Sequence, residues 1–202
     1  MFIGTYNLAG AITFLGLLLA LAAAILSYRQ QLPWAMICLI YSGICDLFDG
    51  WVARRFNRSP AEKSFGLQID SLADMAAFGV APLMVLLHSG FDHWPDVVLF
   101  GFYGCAAAMR LAYFNQTQAE ARQVLKTYTG LPVTYAALVF PGLFLFFGVL
   151  PPLVFQWAVR AAVAAMALMF VLRVPVPKPR GKAYAFFVLL AVGLTLAWLV
   201  KN

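Results

Sequence analysis

The chain has 202 residues and a formal net charge of +6; it is 63% hydrophobic and only 11% charged, with a mean hydropathy of +0.85. An average soluble domain carries about 25% charged residues, so this composition excludes a soluble globular domain and a disordered chain. Nucleic-acid binding is excluded too, because no recognised binding module accompanies the positive charge.

A bilayer core takes about 20 helical residues. Apolar runs of that order predict spans at 8–26, 32–52, 69–87, 97–113, 131–150, 153–171 and 184–200. This is an all-α polytopic membrane helix bundle, read as one integral membrane domain over 1–202. No removable signal peptide is expected: the first run is too long, lacks a preceding basic region, and has no small-residue cleavage site before Arg29. Pro132, Pro141, Pro151 and Pro152 allow bent or half-length segments around the fifth span.

The connection after the second span carries Arg54, Arg55, Arg58 and Lys63. The one after the fourth carries Arg122 and Lys126, and the one after the sixth Arg173, Lys178, Arg180 and Lys182. The alternate connections are poor in Lys and Arg. The positive-inside rule therefore puts the three basic connections in the cytoplasm, for a protein of the cell (inner) membrane. The net charge is first of all this topology signal, and it also attracts anionic lipid.

Four of the eight acidic residues interrupt this apolar pattern: Asp46 and Asp49, then Asp70 and Asp74. Carboxylates near hydrocarbon are expensive and mark functional sites by default. Helical i,i+3 and i,i+4 partners share a face, with Cβ atoms roughly 5–6 Å apart, so each segment presents one pair. If the two helices are antiparallel neighbours, the pairs meet as a four-carboxylate cage at the cytoplasmic interface. Oxygen donors without His or Cys suit Mg²⁺, Mn²⁺ or Ca²⁺. Two such ions about 3.5–4 Å apart are a common solution for phosphoryl transfer. Gly50 and Gly66 cost roughly 1 kcal/mol each in a helix relative to Ala. With Ala53 they keep one strip small, edged by Arg54. Small residues alone read as helix packing; beside the aspartates they read as a nucleotide or diphosphate cleft.

The remaining reactive side chains look structural. Cys38, Cys45 and Cys105 lie in apolar helices without a CxxC pair or a histidine cluster, so they read as packing residues rather than zinc ligands. His88 and His93, with Asp92 and Asp96, read as a solvated loop on the far side, with a metal site there as a remote second reading.

Asp46-x-x-Asp49-Gly50-x-x-Ala53-Arg54 followed by Gly66-x-x-x-Asp70-x-x-x-Asp74 resembles the signature of the CDP-alcohol phosphatidyltransferases, placing the motif at 46–74. Eleven residues separate Arg54 from Gly66, a longer interval than that family usually has. Further segments, Asp70 to Pro82, Arg110 to Asn115 and Tyr128 to Pro132, resemble the phosphatidylserine synthases of bacteria and archaea. Tyr113 and Gln68 depart from that pattern.

The resemblance implies a six-helix core plus about one extra helix. It also implies a divalent cation, two Mg²⁺ or Mn²⁺ ions, on Asp46, Asp49, Asp70 and Asp74. Asp74 would double as the catalytic base, and Asp49, Gly50, Ala53, Arg54 and Gly66 would bind the CDP-lipid. The implied reaction is transfer of a phosphatidyl group from CDP-diacylglycerol to L-serine, releasing CMP, among membrane lipids and in a homodimer. Arg110 and Asn115 are the expected acceptor contacts. From spacing alone, Arg110 equally reads as an arginine snorkelling to the interface and Asn115 as a helix end. Inositol phosphate, glycerol phosphate or choline are the alternative acceptors. An ion or proton transporter using the aspartates and Arg160 is the alternative from another class.

Overall fold

A computed structural model describes residues 4, 7–120, 127–177 and 182–201. Helix α1 (Leu8–Tyr28) starts where the Asn7 side chain accepts from the Gly10 N–H at 2.8 Å. Helix α2 (Leu32–Ala53) returns antiparallel, with Pro33 in its first turn, where a missing N–H costs nothing. Then follow α3 (Pro60–Asp74), α4 (Ala81–His88), α5 (Trp94–Glu120), α6 (Ala136–Phe144), α7 (Pro152–Val171) and α8 (Lys182–Lys201). Six helical runs are long and apolar enough to cross a membrane, with 133–144 as a shorter apolar helix.

Two expectations shift. The third span begins at Pro60, not at 69, because Ser59 and Glu62 form a capping box. The Ser59 hydroxyl accepts from the Glu62 N–H at 3.2 Å, and the Glu62 carboxylate accepts from the Ser59 N–H at 2.8 Å. These bonds satisfy end groups that an uncapped helix leaves unpaired, so the long interval after Arg54 is half helix. The fifth span is shorter than 131–150. It opens as a 3₁₀ turn at Val133–Tyr135, continues as α6 around an internal Pro141, and ends in turns before Pro151. Lys201, at the end of α8, donates to the Leu145 and Phe147 carbonyls at 2.6 Å each, capping that broken end.

Helices α3 and α4 form one 29-residue run joined by a π-helical stretch, Met75–Val80. Pro82 has no N–H to give to Phe78 one turn earlier. The freed Phe78 carbonyl accepts instead from the buried Tyr103 hydroxyl of α5, at 2.8 Å. The core around this bond is built of Phe78, Val85, Leu86, Tyr103, Phe140 and Phe170.

The up-and-down order gathers residues 54–59, 127–135 and 172–177 at one end. A short antiparallel pairing of β1 (Thr127–Thr129) with β2 (Pro175–Pro177) ties two of these connections together. Of the expected basic residues, Arg54, Arg55, Arg58, Lys63 and Arg173 lie at this end, while Arg122, Lys126, Lys178 and Arg180 fall outside the described residues. At the other end Ser27 bonds the His88 ring at 2.9 Å. There Arg160 grips Asp96 with two bonds, 2.6 and 3.0 Å long. Asp96 is only 1% exposed, so this pair clamps α5 to α7.

Candidate active site

Two close helix contacts deliver the site. A Cβ on Gly16 of α1 would stand 3.0 Å from the Cys45 Cβ of α2, and the Gly16 carbonyl accepts from the Ser42 hydroxyl at 2.8 Å. One turn away, Thr13 reaches Asp49, donating from Oγ1 to Oδ2 at 2.6 Å. The second contact repeats the device: a Cβ on Gly43 would stand 2.6 Å from the Ala137 Cβ of α6. One turn away, Thr134 donates to Asp46 at 2.8 Å. Small residues set the helix separation, and the hydroxyls then fix which way each carboxylate faces.

Asp46, Asp49 and Asp70 each place a carboxylate oxygen within 4.8 Å of the others. Asp49 is buried, while Asp46 and Asp70 are partly open. Asp74, one turn further along α3, meets the Asp46 carboxyl side chain to side chain. The cage therefore divides into a cluster of three and a fourth member in contact with Asp46. An oxygen-only cluster, two of its members oriented by threonines and open on one side, fits a hard divalent cation.

The open side is a cavity of about 1080 Å³ at the basic end of the bundle. Gly50, Ala53, Arg54 and Gly66 line it, as do all four aspartates. Arg54 donates from Nη2 to the Tyr184 hydroxyl at 2.7 Å, so the last helix closes this wall. Arg110 also lines the cavity. It is 5% exposed, with Nε donating to the Leu131 carbonyl at 3.2 Å and its guanidinium 5.5 Å from the Phe114 ring. This anchorage replaces the snorkelling reading. The backbone carrying Leu131 is itself held tightly: Gly130, at φ +81°, has the Phe170 and Leu172 carbonyls where a Cβ would point. Asn115 is not in the cavity wall; it accepts from the Ser71 hydroxyl at 2.8 Å and so pins α5 to α3.

Thr13, Thr134 and Tyr184 were invisible as site residues in the sequence. The only signal for the two threonines is a hydroxyl one helical turn from a glycine contact, which spacing within one helix does not reveal. Arg160, the transporter reading's cation, is paired with Asp96 at the opposite end of the bundle. Among the described residues no cysteine is disulfide-bonded. The three-aspartate group is the one cluster with metal-ligand geometry among them.

Comparison with known proteins agrees with this geometry. The family model described as CDP-alcohol phosphatidyltransferase matches residues 6–172. The chain is 40% identical over 107 residues to the CDP-diacylglycerol–serine O-phosphatidyltransferase of Saccharomyces cerevisiae, covering 50% of this chain and 38% of that protein. It is 33% identical over 140 residues to the Mycobacterium bovis protein of the same name, covering 67% and 48%. It is 30% identical over 122 residues to the archaetidylserine synthase of Methanothermobacter thermautotrophicus, covering 60% and 50%. The chain thus spans half or less of the length of these relatives.

Proposed function

We propose that this chain, which belongs to the CDP-alcohol phosphatidyltransferase family, transfers a phosphatidyl group from CDP-diacylglycerol to the hydroxyl of L-serine, giving phosphatidylserine and CMP. The observation that carries this reading is one cavity lined both by three clustered carboxylates and by a buried arginine. Relatives named for serine transfer support the choice of acceptor.

Asp46, Asp49 and Asp70, with Asp74 beside Asp46, would hold Mg²⁺ or Mn²⁺. When bound, such ions neutralise diphosphate charge and stabilise the leaving CMP. The protein's own residues do the positioning. Gly50, Ala53, Arg54 and Gly66 form the strip along which the CDP moiety lies. Arg110 holds the serine carboxylate, and Asn115 steadies Arg110's helix. The serine hydroxyl oxygen bonds to the phosphorus bearing diacylglycerol, the bond to CMP breaks, and Asp74 takes the hydroxyl proton. Fixing these partners in one orientation supplies much of the rate.

The chain is an integral membrane protein. Its basic site end supports a cytoplasmic active site in the cell (inner) membrane, where serine and CMP exchange with solvent. The family resemblance supports a homodimer, checked by the mass of the protein in lipid nanodiscs. The deciding experiment offers purified protein CDP-diacylglycerol with serine, ethanolamine, inositol phosphate, glycerol phosphate and choline. CMP release with serine alone is the expected result. Release with another alcohol instead moves the acceptor, and release with none ends the reading.

A further inference from the structure

The loop between α2 and α3 holds an arginine with one N–H that its protein neighbours leave without an acceptor. The capping box at Ser59 and Glu62 fixes the start of α3, so Arg58, the residue before it, leaves the loop at a defined point. Its side chain runs back along α3 instead of outward. Nη1 lies 3.2 Å from where a Cβ on Gly66 would stand, and Arg58 lines the same cavity as Asp46, Asp49 and Asp70. Gly66 is thus a notch in α3 that seats this guanidinium. The long interval after Arg54 gives the chain enough length to make the turn.

Inside the notch Nε is buried and has no hydrogen-bond partner. Among the described residues, no carboxylate pairs with Arg58 within 4.0 Å; the ion pairs there involve His93, Asp92, Asp96 and Arg160. The neighbouring cations differ. Arg54 is engaged with the Tyr184 hydroxyl. Arg55 stacks 4.0 Å from the Trp51 ring and does not line the cavity. A buried, unpaired guanidinium N–H is expensive, and each such donor in a folded protein calls for an acceptor that something else brings. A guanidinium presents its N–H groups as a planar fork that matches phosphate oxygens.

We propose that Arg58 is a binding residue for the donor substrate, its guanidinium donating to phosphate oxygens of the nucleotide–lipid diphosphate. This inference rests on reading the cavity as a CDP-lipid site. Arg58 lines the cavity beside Gly66, a member of the strip read as the donor's, whereas Arg110, read as the acceptor's, is held on the Leu131 carbonyl, so the donor's phosphates and not the acceptor's carboxylate are the partner of Arg58. The diphosphate would then be held by Arg58 at the notch and by the cations that the carboxylates lining the same cavity would carry.

The test uses the full chain in mixed micelles, titrated calorimetrically with CDP-diacylglycerol and assayed for CMP release. Arg58→Gln should weaken CDP-diacylglycerol binding roughly 10- to 100-fold, as loss of a charge-assisted hydrogen bond implies, and leave the KM for serine unchanged. Arg58→Lys should recover part of the loss. Arg55→Gln removes the same charge from the same loop and should bind normally. Gly66→Ala fills the notch without removing the charge and should also weaken binding, adding little to Arg58→Gln in the double variant. It keeps the question open to test if Arg58→Gln fails to fold. Unchanged binding in both single variants overturns the proposal, as does an equal loss in Arg55→Gln or a selective rise in serine KM. If the unaltered protein binds no CDP-diacylglycerol, the function itself falls, and this inference with it; normal binding there with no effect at Arg58 overturns this inference alone.

Discussion

The hydroxyl of Thr13 on α1 donates to Oδ2 of Asp49 on α2 at 2.6 Å, and so ties one carboxylate of the acidic cluster to the neighbouring helix. Thr134 does the same for Asp46. Groups that orient metal ligands typically contribute 10–100-fold in affinity or activity. Thr13→Val and Thr134→Val should each weaken Mn²⁺ binding to the purified protein by about that factor, followed by electron paramagnetic resonance, and lower CMP release in parallel. Thr13→Ser should restore most of both. Unchanged Mn²⁺ affinity in the valine variants would show that the threonines only pack.

The aspartates should behave as a unit. Asp46→Asn, Asp49→Asn and Asp70→Asn should each cost turnover by roughly two decades or more, the scale of a lost electrostatic group in an active site. Chelation by EDTA should abolish CMP release, and added Mg²⁺ or Mn²⁺ should restore it. Asp74→Asn should lose turnover while keeping Mn²⁺ affinity closer to normal, because Asp74 is not one of the three aspartates whose carboxylate oxygens lie within 4.8 Å of one another. Full activity in chelator would sink the metal assignment.

Arg110 is expected to govern serine and not the lipid donor. Arg110→Ala should raise the KM for serine by roughly one to two decades and leave the KM for CDP-diacylglycerol nearly unchanged. Arg110→Lys should recover only part, since a point charge does not reproduce the planar fork. Ethanolamine, which lacks the carboxylate, should be a poor acceptor. Because Arg110 is buried against the Leu131 carbonyl, a melting curve must accompany each variant. A lowered kcat at unchanged serine KM would assign Arg110 to scaffolding.

Topology gives a prediction independent of chemistry. Single cysteines at Asn57 and at Asp92 sit in connections at opposite ends of the bundle. A membrane-impermeant thiol reagent applied to intact cells should label position 92 and miss position 57. The reverse pattern would place the cavity outside the cytoplasm.

How far the molecule was legible in its sequence depends on the range of the interaction. Features confined to one helix read well. Paired aspartates three and four residues apart share a face by geometry, and four of the seven spans fall within a few residues of α1, α2, α7 and α8, while α5 runs seven residues past the expected end at 113. Basic connections sort to one end because charge resists crossing lipid. What crosses between helices did not read. Thr134 lies 88 residues from Asp46, and Arg160 lies 64 from Asp96, and nothing local at either end names the partner. The early start of α3 was present in Ser59 and Glu62 as a capping signature, but the hydropathy of the run that follows outweighed it.

The π-helical stretch Met75–Val80 sets where this chain can change its length. There the Ala81 N–H reaches back five residues to the Ala76 carbonyl, so the helix holds one residue more than an ordinary winding would. Upstream the run aims Asp70 and Asp74 at the cavity; downstream it aims Ala81, Val85 and Leu86 into the core. Each residue of an α-helix turns the face by about 100°, so the looser winding keeps two otherwise incompatible faces in phase. Deleting Ala76 should swing the aspartates out of the cavity while leaving helical content intact, seen as lost CMP release with an unchanged circular dichroism spectrum. The connection at 54–59 has no such angular constraint. A change of length there would move Arg58 but leave the aspartates in phase, whereas one just after them would turn them away from the cavity.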